Sequence, residues 1–229
     1  MRIHDNTPVL FKGRMTIRNL FYLLFVLALL AGLASPIEAG ETSSGPEDAD
    51  LFKGISVDMR FYRNNHFGFG MAIPGDWHVA AGEEVHQLLE KCSRDNPFIK
   101  QLLASIASKH SAALLSISRH PPIVTPGNYN ILILAHNISE LPTVITGKDW
   151  LNYAELRSKQ RGEKVIRGVH PVGLGGEEFY RLDHFSPRSG NLQSEIAKVV
   201  KGYVLLFILT ACDQTQMNEL DKIINSLDF

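Results

Sequence analysis

The chain has 229 residues, of which 45% are hydrophobic and 21% are charged, and its formal net charge is −1. These proportions are those of an ordinary globular protein, and the roughly 190 residues that remain after an export segment suffice for one domain with a core. The near-neutral balance lacks the excess of Lys and Arg that nucleic-acid binding needs. Nucleic acid is therefore excluded as the expected partner.

The N-terminal residues have the pattern of an export signal. A continuous apolar run covers residues 20–34, and small residues follow it up to Ala39. The basic residues that precede the run are Lys12, Arg14 and Arg18. We predict that residues 1–39 are a secretory signal peptide, so that the mature protein is periplasmic or secreted. Met15 is an alternative start.

Cleavage after Ala39 fits the signal best, and cleavage after Ala34 is the alternative. An uncleaved membrane anchor is the rival interpretation, although the run is shorter than the ~20 residues of a comfortable span. If cleavage occurs, the protein meets the membrane only transiently, through its signal. Residues 40–56 are small, polar and acidic, and we predict a flexible spacer there. A single domain then covers residues 57–229.

The stretch from Phe61 to Trp77 is predicted to be the first strand of this domain. Large side chains alternate with small ones over residues 67–73, which is the period of a strand. Pro74 ends the strand, and the sequence Pro-Gly-Asp is typical of a turn. Trp77 closes the turn, where it can cap the core or line a ligand groove.

The rest of the chain alternates between strand and helix patterns. A short helix is predicted within residues 79–92 and a second one from Pro97 to about Lys109, with Asn96 as its cap. Amphipathic patterns predict two further helices, over 148–161 and 214–227. The predicted strands cover 112–118, 130–138, 165–169, 177–185, 196–200 and 203–211. This order predicts an α+β fold, a mainly antiparallel sheet with helices packed on it, and the apolar run 203–211 should lie at its centre.

Several of these segments resemble a known family. The segment from Phe67 to Trp77, the Gly-led strand over 174–182, the sequence of residues 202–204 and the ending over 223–229 resemble PsbP-like domains. The resemblance covers about residues 57–229. It implies an α/β/α sandwich around an antiparallel sheet. Members of the family are mostly non-enzymatic, exported accessory or assembly subunits, so the resemblance implies a protein partner or a small ligand.

Two hypotheses of function follow. The first is an exported, non-enzymatic binding or accessory protein with a ligand groove near the turn, formed by Trp77, Asp76 and His66. The second is an extracytoplasmic enzyme of hydrolase type, with a site built from His and Asp side chains such as His66 with Asp76 or Asp183. The residues specify no cofactor, and no catalytic motif such as G-x-S-x-G occurs.

Metal binding and a disulfide are the remaining predictions. Eight histidines lie beyond the export segment without the close spacing of a metal motif, so at most a weak histidine site is expected. Cys92 and Cys212 are the only cysteines, and in an oxidising compartment they can pair. Two buried free thiols are the alternative.

Overall fold

The structure is a computed structural model that describes residues 51, 55–58, 60–93, 97–107, 110–120 and 128–229. All of these belong to a compact unit that spans residues 46–229. The predicted signal peptide, most of the predicted spacer and the Asn96 cap lie outside the described residues.

The described strands form two antiparallel sheets. The small sheet has the order β1-β2-β3, and the large sheet has the order β4-β5-β6-β10-β9-β8-β7. Their bounds are β1 Ile55–Asp58, β2 Phe61–Asn64, β3 Phe69–Ala72, β4 His78–Ala81, β5 Ser111–Ser118, β6 Asn130–Asn137, β7 Lys164–Leu174, β8 Glu177–Ser186, β9 Asn191–Val200 and β10 Tyr203–Ala211. The apolar strand β10 is the middle strand of the large sheet, as its composition predicts.

Helices cover both faces of the large sheet. The helices of the described residues are α1 (Glu83–Cys92), α2 (Pro97–Ala107), α3 (Gly147–Gln160) and α4 (Gln214–Ile224). Side chains of α1, α2 and α3 share one core cluster with one face of the sheet, and α4 shares a second cluster with the other face. The fold is therefore the predicted α/β/α sandwich around an antiparallel sheet.

The predicted first strand is wrong in one respect, because it is a hairpin rather than one strand. Strands β2 and β3 pair antiparallel, and the chain reverses at Gly68, whose φ is 75°. The amide of Gly68 donates to the carbonyl of Asn64 at 2.9 Å. The large residues of the predicted alternation are nevertheless buried together over the large sheet, namely Phe67, Phe69, Met71 and Ile73. The small sheet and α4 thus form the outer layer on that face.

Gly70 shows why small residues alternate with the large residues of this hairpin. It pairs with Asp228 near the end of the chain, and a Cβ atom at this position would lie 2.5 Å from the ring of Phe61. Only glycine leaves room for that ring, which belongs to the neighbouring strand β2 of the same sheet.

Helix α3 begins where the amphipathic pattern predicts. Thr146 and Asp149 form a reciprocal capping box, in which each side chain accepts a backbone N–H of the other. Gly162 follows the helix with a φ of 76°, the left-handed conformation that glycine adopts after the end of a helix. In the described part of the chain, every helix falls short of the length and apolar content that a bilayer crossing needs.

Candidate binding surface at the Trp77 end of the sheet

Three neighbouring strands of the large sheet, β4, β5 and β6, begin or end at the same edge of the sheet. His78 at the start of β4 pairs with Ser118 at the end of β5, which pairs with Asn130 at the start of β6. Trp77, Arg119 and Tyr129 each lie one residue beyond these pairs and therefore converge. Together with Asp76 and Glu219 of α4 they form the surface that we call the Trp77 face.

An aromatic pair is the centre of the Trp77 face. The rings of Trp77 and Tyr129 meet edge to face, with centroids 5.1 Å apart and an interplanar angle of 89°. Trp77 is half-buried against the core, and its amide donates to the carbonyl of Pro74 at 3.1 Å, which closes the predicted turn. The indole thus caps the core and still presents part of its surface to solvent.

An ion pair borders the aromatic pair. The guanidinium of Arg119 donates to the carboxylate of Asp76, which lowers the pKa of Asp76 and raises that of Arg119. The side chain of Asp76 is 64% exposed and that of Arg119 is 33% exposed. An exposed pair of this kind contributes little to stability, so both charges remain available for contact with a partner.

Tyr129 connects the sheet to α4. Its hydroxyl donates to Glu219 Oε2 at 2.7 Å. Burial, and next the Glu219 carboxylate, raise the pKa of Tyr129 to about 12. The phenol therefore stays protonated at neutral pH and donates to Glu219 at the rim of the Trp77 face.

The structure places His66 far from this surface. Its backbone carbonyl accepts from Lys201 Nζ at 2.6 Å, and its ring lies 6.2 Å from that of Tyr203. Tyr203 pairs with Asn137, the last residue of β6, whereas Tyr129 precedes its first residue. The length of β6 therefore separates Tyr203, and His66 beside it, from Tyr129 by about 24 Å.

The predicted groove is therefore divided. The structure brings Trp77 and Asp76 together but leaves His66 at the opposite end of the sheet. Asp183 is elsewhere again, on β8, where it accepts from Arg181 at 2.8 Å and from Ser194 at 2.7 Å. Neither aspartate forms a site with His66.

Sequence reasoning missed Arg119, Tyr129 and Glu219. Their positions in the sequence were the available signal, because Arg119 follows the predicted strand 112–118 and Tyr129 precedes the predicted strand 130–138. Had the pairing of these two strands been predicted, the two side chains would have been expected beside each other. Glu219 on α4 gave no such signal, because its contact spans ninety residues.

A second polar cluster lies at the opposite end of the sheet. His136 Nδ1 is 2.5 Å from Ser111 Oγ, which is 2.6 Å from Ser105 Oγ, and the imidazole stacks on Trp150 with centroids 4.8 Å apart. Burial, and next the charge of Arg157, lower the pKa of His136 to about 4. The ring is therefore neutral at pH 7 and accepts or donates a hydrogen bond without charge.

A third cluster surrounds His184, which is fully buried on β8. Its Nδ1 is 3.0 Å from Glu163 Oε2 and its Nε2 is 3.4 Å from Glu195 Oε1. The carboxylates lie on opposite sides of the ring, so they cannot bind one metal ion together with it. In the part of the chain that the structure describes, no three His, Cys, Asp or Glu side chains are grouped as a metal site requires.

Cys212 Sγ lies 3.8 Å from Asn191 Oδ1. The side chain of Cys92, at the end of α1, lies outside the described residues. The pairing of the two cysteines stays a prediction.

Comparisons with known proteins concern the fold alone. No family model and no curated protein matches the chain. The solved structures that are similar to it include the following two. Cyanobacterial PsbP from Synechocystis is 12% identical, with a TM-score of 0.44 over 76% of this chain and 94% of that one. LpqN of Mycobacterium tuberculosis, which is involved in cell envelope biogenesis, is 15% identical, with a TM-score of 0.42 over 70% and 82%.

The first of these structures is a PsbP protein, from the family that the sequence resemblance names. Both TM-scores are below 0.5, so these likenesses carry no argument about ligand, partner or reaction.

Proposed function

We propose that this protein is an exported, non-enzymatic binding or accessory protein that contacts a protein partner through the Trp77 face. One observation carries the proposal. An indole with part of its surface in solvent lies between exposed charges of both signs, Asp76 and Glu219 against Arg119. Tryptophan and arginine are enriched among the residues that dominate binding energy in protein interfaces.

The charges of the Trp77 face suit recognition rather than folding. Because Asp76 and Arg119 are exposed, their ion pair is screened by water and adds little to stability. Opposite charges placed around an apolar centre orient a partner that has the complementary pattern. Export supports the same proposal through the predicted signal peptide, since an accessory protein of the cell envelope meets its partner outside the cytoplasm.

Charge exchange tests this proposal. The variant Asp76→Lys should lose a partner that co-purifies with the wild-type protein from the envelope of its native host. The double variant Asp76→Lys, Arg119→Glu restores an ion pair but inverts the charge pattern, so it should keep the wild-type melting temperature and still lose the partner. Retention of every co-purifying protein by both variants would contradict the proposal.

The hydrolase alternative rests on the contact of Ser111 with His136. A serine hydroxyl 2.5 Å from a neutral imidazole is the arrangement of an activated nucleophile. However, Ser111 is 8% exposed and also bonds Ser105, so a substrate cannot reach its hydroxyl in this conformation. A fluorophosphonate probe that labels the wild-type protein but not Ser111→Ala would establish the enzyme. We expect no labelling.

A further inference from the structure

A guanidinium lies against the turn that ends in Trp77. Arg60 directly precedes β2, and its carbonyl accepts from the amide of Ile73 at 2.7 Å. Its side chain extends over Gly75, in the turn that the bond from the Trp77 amide to the carbonyl of Pro74 closes. Arg60 therefore borders the Trp77 face, although it reaches this surface from a different strand.

The guanidinium of Arg60 rests flat on Gly75. A Cβ atom at Gly75 would lie 2.8 Å from Arg60 Nε, 3.0 Å from Cζ and 3.0 Å from Nη2. Because these distances are nearly equal, a face of the guanidinium rather than an edge lies against the glycine. The N–H groups of a guanidinium point outward in its plane, so this stacking leaves them accessible. The exposed side chain thus has a defined position while its donors remain open to solvent.

Space for this guanidinium, rather than the backbone conformation, accounts for the glycine at position 75. The φ of Gly75 lies outside the left-handed region, so an alanine could adopt the conformation of the turn. Its Cβ atom, however, would have to displace the guanidinium of Arg60. The turn is therefore built so that an arginine side chain can lie on it.

The other described charges beside the turn are engaged with one another. Asp76 pairs with Arg119. Glu219 accepts from the hydroxyl of Tyr129, and its charge also stabilises that of Arg119. Within the described ranges of the chain, the guanidinium of Arg60 takes part in neither a hydrogen bond nor an ion pair. Its charge is therefore left without a counter-charge by the described residues.

This arrangement indicates the chemistry that a partner presents here. A guanidinium whose donors are open in one plane matches a carboxylate, which accepts two parallel hydrogen bonds from it. Since the group already lies on the turn, binding has less side-chain freedom to remove. Trp77, in the same turn, offers apolar surface beside it. The complementary surface therefore carries an acidic side chain next to an apolar one.

We propose that Arg60, held on Gly75, binds a carboxylate of the protein partner, while an apolar side chain next to that carboxylate covers Trp77. This inference rests on the proposed function and names the chemistry of its partner. The pair of Asp76 and Arg119 orients the partner, and Arg60 supplies a direct hydrogen-bonded contact.

Zero-length cross-linking in envelopes of the native host tests the proposal. In Arg60→Lys, a carbodiimide can join the introduced amine to a carboxylate in contact with it, as an amide. Arg63→Lys is the matched control, because Arg63 is also exposed and lies on β2, where its Cζ is 5.8 Å from the ring centroid of Phe61. Mass spectrometry should find an amide from position 60 to an Asp or Glu of another protein, and none from position 63. No such amide, equal yields at both positions, or a link from position 60 to a lipid phosphate would overturn the proposal.

The affinity of the cross-linked protein, purified and titrated without carbodiimide, separates this proposal from the proposed function. Arg60→Ala should weaken its binding at least about tenfold, and Arg63→Ala should leave it unchanged. Gly75→Ala keeps the charge but displaces the guanidinium, so it should also weaken binding, at an unchanged melting temperature. If Asp76→Lys abolishes binding while Arg60→Ala binds as the wild type does, this proposal fails and the proposed function stands. If Asp76→Lys also binds as the wild type does, both fail.

Discussion

Polar side chains have different surroundings at the two ends of the large sheet. At the end formed by Ser111 and His136, hydroxyl and imidazole groups bond each other in the interior, and the histidine is held neutral. At the end formed by Trp77 and Arg119, the charges of Asp76 and Arg119 pair with each other and are open to solvent. Polar groups at the first end therefore serve the fold, while the Asp76–Arg119 pair at the second can be changed at little cost and is free to serve binding.

The largest expected effect concerns His136. Because its pKa is lower in the folded protein, about 4 against an ordinary 6.5, the unfolded chain binds a proton between these values and the folded protein does not. The free energy of unfolding should therefore rise with pH between about 4 and 6.5, by at most about 3 kcal/mol from this group. Denaturant unfolding at several pH values measures this.

The matched control for His136 is His78, an exposed histidine at the other end. His136→Gln should flatten the pH dependence, and His78→Gln should leave it unchanged. If the free energy of unfolding depended on pH equally in the wild-type protein and His136→Gln, burial would not lower the pKa of His136.

Trp77→Ala should have the next largest effect on stability. The indole is half-buried against the core and Tyr129, so its loss should lower the free energy of unfolding by about 2 kcal/mol. Trp77→Phe, which keeps an aromatic ring, should cost clearly less. If Trp77→Ala were as stable as the wild-type protein, the tryptophan would not cap the core.

Tyr129→Phe isolates one hydrogen bond. It removes the hydroxyl that donates to Glu219 at 2.7 Å and should lower the free energy of unfolding by about 1 kcal/mol. Tyr153→Phe is the control, since its hydroxyl is exposed and makes only a long contact of 3.3 Å with Thr143. Equal effects of the two substitutions would mean that the bond to α4 adds nothing to stability.

The smallest effect on stability is expected for the exposed ion pair. Asp76→Asn and Arg119→Gln should leave the melting temperature unchanged, while both weaken partner binding. A large fall in the melting temperature for either variant would place this pair with the structural groups and remove the contrast between the two ends.

Local patterns explain why so much of the fold could be predicted. The apolar run 203–211 predicted the central strand, and the amphipathic pattern over 148–161 predicted α3. The small sheet was missed because the alternation over residues 67–73 continues through Gly68, where only the tertiary structure shows that the chain reverses.

The candidate site was less predictable, because tertiary contacts rather than local patterns bring its residues together. Trp77 and Asp76 lie in one turn whose sequence is typical, so they were expected beside each other. Arg119 and Glu219 reach the same surface through strand pairing and helix packing, which a single sequence does not reveal. His66 was assigned to the surface because it is near Trp77 in sequence, although the β2–β3 hairpin places it at the other end.

The most direct test of the central claim is site-specific photo-cross-linking in the native host. A photoreactive amino acid replaces Asp76 on the Trp77 face or Glu140, an exposed residue that follows β6 at the opposite end. The account predicts a discrete protein adduct from position 76 that is absent from position 140 and disappears when Arg119→Glu is added. Adducts of equal yield at both positions, or an adduct from position 140 alone, would contradict it.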